Sequence, residues 1–283
     1  MGRMVGAQMT ITRIADESDP RLDVYTRLSD RQLRSLADPS QAVVVCESLL
    51  VIKVAVERGL ELQSVLVDER HLDNLLDTVP ALASMDLPIY IATREQLQGV
   101  TGINVHRGYF AAARRPRPRG LGEVLDGASR IAVLEGLVDI TNVGALFRSA
   151  AALGVDGIVL APRCADPLNR RSVRVSMGTV FALPWAVAPD PWPQSILAEL
   201  GERGFHTVAL ALDDRAVPID DPSLAGHDRL ALFFGSEGWG LSDQVLEGVD
   251  STAIIPMQRG VDSLNVAASS AVAFWELCSR GRR

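Results

Sequence analysis

The sequence predicts an α/β protein of two unequal domains, the second built on a mostly parallel sheet. Short apolar segments typical of strands alternate with longer segments of helical periodicity along most of the 283 residues. A stretch rich in proline and arginine, residues 113–121, interrupts the alternation and is typical of a linker. We therefore expect a smaller α/β domain over residues 21–112 and a larger one over residues 122–283, with the polar, aperiodic residues 1–20 as a loose tail.

In the first domain, helix and strand patterns alternate without a long gap. Continuous or alternating apolar residues indicate strands, and apolar residues three or four positions apart indicate helices. The predicted strands are residues 41–48, 62–69, 87–93 and 106–115, and the predicted helices are residues 30–37, 49–59, 72–85 and 94–100.

The second domain repeats the alternation with strands that are apolar on both faces. That pattern is expected when helices cover both sides of a mostly parallel sheet. The predicted strands are residues 129–137, 156–162, 205–212, 229–236 and 251–257, and the predicted helices are residues 142–154, 192–204, 242–249 and a C-terminal segment that begins near Ser263.

Composition limits the class of protein. An apolar content of 47% supports a real hydrophobic core. No window contains the ~18 uninterrupted apolar residues of a membrane span, and the first residues lack the apolar segment of a secretory signal. A cytoplasmic protein is therefore expected.

The cysteines and histidines do not form a ligand pattern. Cys46, Cys164 and Cys278 are odd in number, far apart and not accompanied by histidines at ligand spacing. This argues against both a disulfide framework and a zinc site. We expect reduced, buried cysteines and no bound metal.

The charge is unevenly distributed along the chain. The net charge of −7 opposes nucleic-acid binding on average. Residues 1–120 nevertheless hold 15 basic and 15 acidic side chains, so the acidic excess belongs to residues 121–283. Arg114 and three further arginines cluster in the sequence ARRPRPRG, which fits either an RNA contact or a solvated, proline-stiffened linker.

Three strand-to-helix junctions of the second domain are rich in polar and glycine residues. In open α/β sheets such carboxyl-end loops are where ligands bind. The first junction, EGLVDITNVGALFRSAAALG, contains Asn142, Gly144 and Arg148. Taken alone, Asn142 can be a helix cap and Arg148 a surface cation.

The second junction, LFFGSEGWGLS, places Glu237 among Gly235, Gly238 and Gly240. Glycines at this density indicate backbone shapes or close approaches that other residues do not allow. The spacing is neither the dinucleotide fingerprint nor a phosphate-binding Walker A loop, and it is not a serine nucleophile elbow. A glycine turn without function is the alternative, but an acid inserted in such a turn points to chemistry.

The third junction, IPMQRGVDSLNVAASSAV, places Ser263 and Asn265 on either side of Leu264 at the start of the last helix. Either polar residue can satisfy the free N–H groups of a helix start. The small residues Ala267, Ala268 and Ala271 behind them allow another backbone to come close.

Together, in this order, the three junctions resemble the three motifs of the SpoU/TrmH family of RNA 2′-O-methyltransferases. The resemblance spans essentially all of residues 121–283, and RRSVRVSMGTVFALP is similar to the stretch between that family's first two motifs. It implies a SPOUT fold, in which the C-terminal segment of an α/β domain threads into a trefoil knot. It also implies S-adenosylmethionine as methyl donor, an RNA substrate, either ribosomal or transfer RNA, and a homodimer formed through the C-terminal domain.

The resemblance also implies roles for individual residues. Those matching the family's catalytic positions are Asn142, Arg148, Glu237, Ser263 and Asn265, and those expected around the methyl donor are Gly235, Ile255, Met257, Gly260 and Leu264. One departure is Asp139-Ile140, where the family usually has Asp-Pro. We expect the lost proline to loosen a loop without removing a reacting group.

The implied reaction suits these residue types. An incoming ribose oxygen must be aligned with the methyl group and must lose a proton. We expect Arg148 to hold phosphate and stabilise developing negative charge, since a guanidinium does not deprotonate readily. Glu237 is then the candidate to orient groups or relay the proton.

The first domain resembles the ribosomal-protein-like substrate-binding domain that many family members place ahead of the catalytic one. In VVVCESLLVI, Ser48 stands where the family has glycine. Arg107 and Arg114 are candidate RNA contacts, with solvated surface arginines as the equal alternative. RNA would be bound through its shape, phosphates and exposed bases.

Two other functions compete with methyl transfer. A catalytically silent RNA-binding or ribosome-assembly factor could keep the fold, although the complete set of polar motif residues argues against it. A nicotinamide-dependent dehydrogenase is disfavoured because the G-x-G-x-x-G turn is missing.

Overall fold

A computed structural model describes residues 9–26, 41–101, 108–260 and 262–280. The predicted helix over residues 30–37 lies outside these ranges. Among the helices in the described ranges, none is long and apolar enough to cross a membrane.

The chain folds as two compact units. The first consists of residues up to Pro116 together with Leu168–Phe181, and the second of Arg117–Pro167 together with residues from Ala182 onward. The segment Leu168–Phe181, which lies between the first and second sequence junctions, therefore packs with the first unit.

The strands divide between two sheets, one in each unit. The first sheet contains β1 to β5 and the second β6 to β12. In chain order the strands are β1 Thr10–Arg13, β2 Val43–Glu47, β3 Leu62–Asp68, β4 Pro88–Ala92, β5 Tyr109–Arg114, β6 Arg130–Leu134, β7 Gly157–Leu160, β8 Trp185–Val187, β9 His206–Leu210, β10 Val217–Pro218, β11 Leu230–Phe234 and β12 Ser251–Ile254.

The described α-helices connect and cover these strands. In chain order they are α1 Asp23–Thr26, α2 Leu49–Glu57, α3 Leu72–Thr78, α4 Arg94–Thr101, α5 Leu121–Leu125, α6 Ile140–Ala152, α7 Arg170–Val175, α8 Thr179–Ala182, α9 Gln194–Glu202, α10 Pro222–Ala225, α11 Asp243–Gly248 and α12 Val266–Phe274. The predicted helix over residues 72–85 is in fact two, because Pro80, which lacks an N–H, begins a 3-10 helix after α3 ends.

The first sheet is mixed, with the strand order β1-β4-β3-β5-β2. β1 and β3 run parallel to β4, whereas β5 runs antiparallel to both β3 and β2. The expectation of a loose tail over residues 1–20 is wrong for Thr10–Arg13, which forms the edge strand β1. Its partner lies almost eighty residues later in the sequence, so local periodicity could not reveal the pairing.

The second sheet has the order β10-β12-β9-β11-β6-β7-β8, and every neighbouring pair is parallel. This confirms the prediction of a mostly parallel sheet. The central strand β11 is buried along its whole length, as expected for a strand covered by helices on both faces. The loops that follow β6, β11 and β12 all leave the same edge of the sheet, and these are the three junctions singled out in the sequence.

The last helix is fixed by packing against the centre of this sheet. α12 lies against α6, and the ring of Phe274 meets that of Phe234 edge-on, with centroids 5.3 Å apart. Both side chains are fully buried. A π-helical turn, Trp275–Ser279, continues the chain.

Candidate functional site at the carboxyl edge of the second sheet

The three sequence junctions meet in one hydrogen-bonded cluster. Asn142 donates from Nδ2 to Oε1 of Glu237 at 2.6 Å, and Asn265 donates from its Nδ2 to the same oxygen at 2.5 Å. Asn265 also donates to Oδ1 of Asn142 at 3.2 Å. Asn142 and Asn265, which are 123 positions apart in the sequence, therefore hold one carboxylate oxygen from two sides.

Asn142 contributes from inside α6, not from its cap. The cap is Asp139, which accepts from the N–H groups of Thr141 at 2.6 Å and Asn142 at 3.2 Å. The interpretation of Asn142 as a cap is therefore wrong, and its side chain is left for Glu237. Ile140 occupies the first helical position, where proline is merely favoured. The replacement of the family's Asp-Pro by Asp139-Ile140 therefore lies at a capped helix start and not in a loop, contrary to the expectation from sequence.

Glu237 sits on a tight turn after β11. Ser236 and Gly240 exchange two backbone hydrogen bonds, of 3.0 and 2.9 Å. At Gly235 an added Cβ would lie only 2.2 Å from the carbonyl carbon of Gly240, so a side chain there would force the turn open. Close backbone approach therefore explains Gly235, and a positive φ of 66° explains Gly240.

A second anchor holds the far end of the same turn. Glu135, just after β6, accepts from the N–H of Ser242 at 2.7 Å and from its hydroxyl at 2.8 Å. It also accepts from Trp192 Nε1 at 2.6 Å. The turn that carries Glu237 is thus fixed to both the strand it follows and the neighbouring strand.

Asn265 explains why the last helix begins where it does. It is the cap of α12, because its Oδ1 accepts from the N–H of Ala267 at 2.9 Å. The same side chain uses its Nδ2 group to hold Glu237. One amide therefore starts the helix and orients the acid. Ser263 is exposed, and within the described ranges it has no hydrogen-bond partner.

A cavity of about 650 Å³ opens beside this cluster. Most of the residues predicted at the methyl donor and several of the predicted catalytic residues line it, namely Gly235, Glu237, Ile255, Met257, Ser263, Leu264 and Asn265. Gly260, also predicted there, is not among the described residues of its wall. The wall combines apolar side chains with three carboxylates, those of Glu237, Asp243 and Asp262, and contains no described basic residue.

Arg148 is not brought to this cluster within the chain. It lies on α6 six residues after Asn142, about 9 Å along the axis and on a different side of the helix. It is exposed, and its side chain forms no ion pair or hydrogen bond with the described residues. Its guanidinium is therefore available to a ligand or to another molecule.

The two predicted RNA contacts of the first domain have different outcomes. Arg107 lies outside the described residues. Arg114 forms a two-bond ion pair with Glu61, 2.7 Å from Nε to Oε2 and 3.1 Å from an Nη to Oε1. The hydrogen bond from Arg114 lowers the pKa of the Glu61 carboxyl. Arg114 would have to share its charge in order to bind a phosphate.

The cysteines are free, as predicted, and two of the three are buried while Cys164 is half-buried. Burial raises the pKa of Cys46 to about 12, so its thiol is not ionised at neutral pH.

Trp239, Asp243 and Asp262 are among the residues of the cavity wall that sequence reasoning missed. Trp239 was detectable in principle, because a large aromatic residue between two glycines in a polar turn has no core to enter. The acids were not, because carboxylates in loops are usually solvated.

The chain is similar to known proteins of one family. A model described as the SpoU rRNA Methylase family matches residues 129–275. A relative named as an uncharacterized tRNA/rRNA methyltransferase, from Mycobacterium bovis, is 38% identical over 274 residues, which are 96% of this chain and 93% of the relative.

Two solved structures are similar over nearly the whole chain. An RNA 2′-O ribose methyltransferase is 27% identical with a TM-score of 0.76, covering 94% of this chain and 98% of its own. An rRNA methyltransferase from Sinorhizobium meliloti with bound AdoMet is 21% identical with a TM-score of 0.78, covering 94% and 97%. The second likeness supports the fold alone.

Proposed function

The chain belongs to the SpoU rRNA Methylase family, and we propose that the cavity at the carboxyl edge of its second sheet is where it methylates RNA. Its fold is that of the SPOUT methyltransferases, a mostly parallel α/β domain preceded by a smaller α/β domain. We infer that it is an S-adenosylmethionine-dependent enzyme that modifies the ribose 2′-hydroxyl of ribosomal or transfer RNA, because its family is one of rRNA methylases and a similar solved structure is an RNA 2′-O ribose methyltransferase. The observation that carries the site assignment is the convergence of Asn142, Glu237 and Asn265 beside the cavity.

The cavity suits the methyl donor in size and charge. Its volume of about 650 Å³ lies within the range of small-molecule sites. S-adenosylmethionine carries its methyl group on a positively charged sulfonium. An apolar wall with carboxylates and no described basic residue favours such a cation. We assign its binding to Gly235, Ile255, Met257 and Leu264, and we keep Gly260 as a predicted contact.

Glu237 is proposed to receive the proton of the ribose hydroxyl. Both amide hydrogen bonds go to Oε1, and among the described residues nothing donates to Oε2. Asn142 and Asn265 fix the carboxylate while one oxygen stays available as an acceptor. Ser263, exposed on the cavity wall, is proposed to orient the ribose.

Arg148 is proposed to bind RNA phosphate and to stabilise the negative charge that develops on the attacking oxygen. It has a free guanidinium and no described partner to displace. A guanidinium presents a planar fork of donors that matches phosphate, and it stays protonated. Its place on α6 away from Asn142 means that RNA or a second copy of the chain must complete the site.

A homodimer formed through the second unit is proposed to supply that completion. Val138, Val272 and Trp275 are apolar and 72%, 40% and 46% exposed around the α6 and α12 helices. Val272 and Trp275 are three positions apart where α12 continues into the π-helical turn, and neighbouring exposed apolar residues are typical of an interface. The small residues of α12 permit close packing. Analytical ultracentrifugation of the wild type and of Val272→Asp tests this: we expect a dimer that the aspartate weakens, and a monomeric wild type would contradict it.

The first domain, predicted over residues 21–112, is proposed to bind the RNA substrate, and the domain predicted over residues 122–283 is proposed to be the methyltransferase domain. The predicted linker, residues 113–121, overlaps the end of β5 and the start of α5, and Leu168–Phe181 belongs to the first unit. The knotted path of the C-terminal segment and a cytoplasmic location belong to the same proposal.

The function is tested by transfer of a labelled methyl group. Purified protein is incubated with tritiated S-adenosylmethionine and either transcribed ribosomal RNA or transcribed transfer RNA, and ribose methylation is mapped by its resistance to alkaline cleavage. We expect label at the ribose of a defined nucleotide in one of the two RNAs. A silent binding factor would bind RNA, label neither, and show no heat of binding with S-adenosylmethionine.

A further inference from the structure

Trp239 does not contribute to the packing of the fold. Its side chain is 94% exposed, although it belongs to the wall of the cavity. Large aromatic side chains usually bury 150–250 Å² of surface, and leaving one in water forfeits that stabilisation. Neither the core nor the cluster around Glu237 uses it.

The turn that carries Trp239 is held firmly. The two hydrogen bonds between Ser236 and Gly240 close it, and the N–H of Trp239 donates to the Ser236 hydroxyl at 3.2 Å. Glu237, two residues earlier on the same turn, is fixed by Asn142 and Asn265. The indole is therefore presented on the scaffold that positions the acid, and whatever binds the indole is placed relative to Glu237.

We propose that Trp239 is a stacking platform for an unpaired base of the RNA substrate, at or next to the nucleotide that is methylated. The inference rests on the proposed function of this site. Unpaired bases have flat faces that stack on aromatic side chains, whereas bases inside a helix do not offer them. The acidic cavity wall favours the neutral face of a base over phosphate at this point. The enzyme therefore selects its target nucleotide in a single-stranded segment.

Two substitutions separate stacking from apolar contact. Trp239→Phe keeps a flat aromatic face, and Trp239→Leu keeps apolar volume without one. We expect the leucine variant to raise the KM for transcribed ribosomal or transfer RNA, whichever the wild type methylates, roughly 10- to 100-fold with little change in kcat. The phenylalanine variant should retain most of the affinity, and both should bind S-adenosylmethionine as the wild type does.

Fluorescence provides a second readout that does not depend on turnover. Stacking on a base should quench Trp239, and the difference between wild type and Trp239→Phe isolates its signal from the other three tryptophans. The same titration with the target segment annealed to a complementary strand should show no quenching by stacking.

The outcomes distinguish this proposal from the proposed function. If the wild type methylates RNA and Trp239→Leu keeps its KM, only the stacking role is wrong. If the wild type neither methylates nor binds either RNA, both proposals fail. If Trp239→Leu sediments as a smaller species than the wild type, Trp239 is a contact between subunits and the stacking proposal is overturned.

Discussion

The two ends of the parallel sheet in the second unit use polar residues in opposite ways. At the amino end, Oδ2 of Asp156 accepts from Ser129 N, Ser129 Oγ and Arg130 N at 2.8 to 3.0 Å. The guanidinium of Arg130 donates to four backbone carbonyls. At the carboxyl end, Glu237 keeps an available oxygen, Ser263 is unpaired among the described residues, and Trp239 is in solvent.

This difference distinguishes residues that stabilise the fold, at the amino end, from residues that are available for binding and catalysis, at the carboxyl end. Polar groups that form hydrogen bonds with one another contribute to stability, because losing one partner leaves the other group unpaired. Groups left open at the carboxyl end of a parallel sheet contribute little to stability and are available to ligands. Substitutions at the two ends should therefore change different properties of the protein.

The largest effect is expected at Glu237. Glu237→Gln preserves size and the acceptor of the two amides but removes the basic oxygen, so kcat should fall about 10²- to 10⁴-fold. The acid-side limb of the pH–rate profile should disappear as well. Calorimetry with S-adenosylmethionine on the same variant is the control, with affinity expected to stay within a few-fold. An unchanged pH–rate profile would refute the role of Glu237 in proton transfer.

Arg148→Ala should be next, with donor binding kept and methyl transfer reduced roughly 10²- to 10³-fold. Arg148→Lys keeps the charge but not the planar fork and should recover only part of the rate. Single-turnover rates at saturating RNA measure both. An alanine variant as active as the wild type would remove Arg148 from the site.

At the amino end, Asp156→Ala should act on stability instead. It leaves the N–H groups of Ser129 and Arg130 without their acceptor, which costs about 1–3 kcal/mol. Thermal unfolding should show a lower midpoint, while the methyl-transfer rate at low temperature stays unchanged. Asp156→Asn, which keeps an acceptor oxygen, should lose less. A loss of activity without a loss of stability would contradict the division between the two ends.

Ser48 tests whether an unpaired polar group always signals function. It directly precedes α2 at the N-cap position with φ +104°, is 2% exposed, and its hydroxyl has no hydrogen-bond partner in the described residues. Ser48→Gly should stabilise the protein by about 1 kcal/mol, because glycine accepts this backbone shape and carries no hydroxyl. Ser48→Ala removes the hydroxyl alone and should stabilise less. If glycine lowers the thermal midpoint, the strain assigned to Ser48 is absent.

The smallest effect is expected at the stacked pair His206 and His227, whose rings lie 3.7 Å apart at the amino end. Burial lowers the pKa of His206 from 6.5 and the charge of His227 adds to this, whereas Asp250 opposes it. Below pH 6.5 the folded state therefore binds fewer protons than the unfolded state. The free energy of unfolding is at its full value above pH 6.5 and falls as the pH drops below it.

Thermal midpoints between about pH 7.5 and about pH 5.5 measure this effect. His206→Phe, which keeps a ring to stack on His227, should lose less stability over that interval than the wild type. Equal losses in the two proteins would show that His206 does not contribute.

The candidate site at the carboxyl end of the second sheet was largely predictable from local sequence. The junctions containing Asn142, Glu237 and Asn265 are short motifs, and the strands before them are strongly apolar. Sequence could not show that Asp139 and not Asn142 caps α6, because either residue type can do so. Nor could it show which oxygen of Glu237 the two amides hold, since that depends on contacts between distant segments.

Other features of the fold could not be predicted from sequence either, because they depend on contacts between distant segments. β1 pairs with β4 across a long stretch of chain, and the two-residue strand β10 has too little periodicity to detect. The packing of Leu168–Phe181 with the first unit, where Arg170 and Arg174 both bind Glu47, is likewise tertiary. Ser48 stands where the family has glycine, and its positive φ is a backbone conformation that glycine adopts without strain.

The most direct test of the central claim is a crystal structure of the protein with S-adenosylmethionine. The claim predicts the donor in the cavity between the turn of Glu237 and the segment from Ile255 to Leu264, with its methyl group facing the side of the Glu237 carboxylate. A cavity that stays empty or blocked at saturating donor, or a donor bound elsewhere, would contradict it.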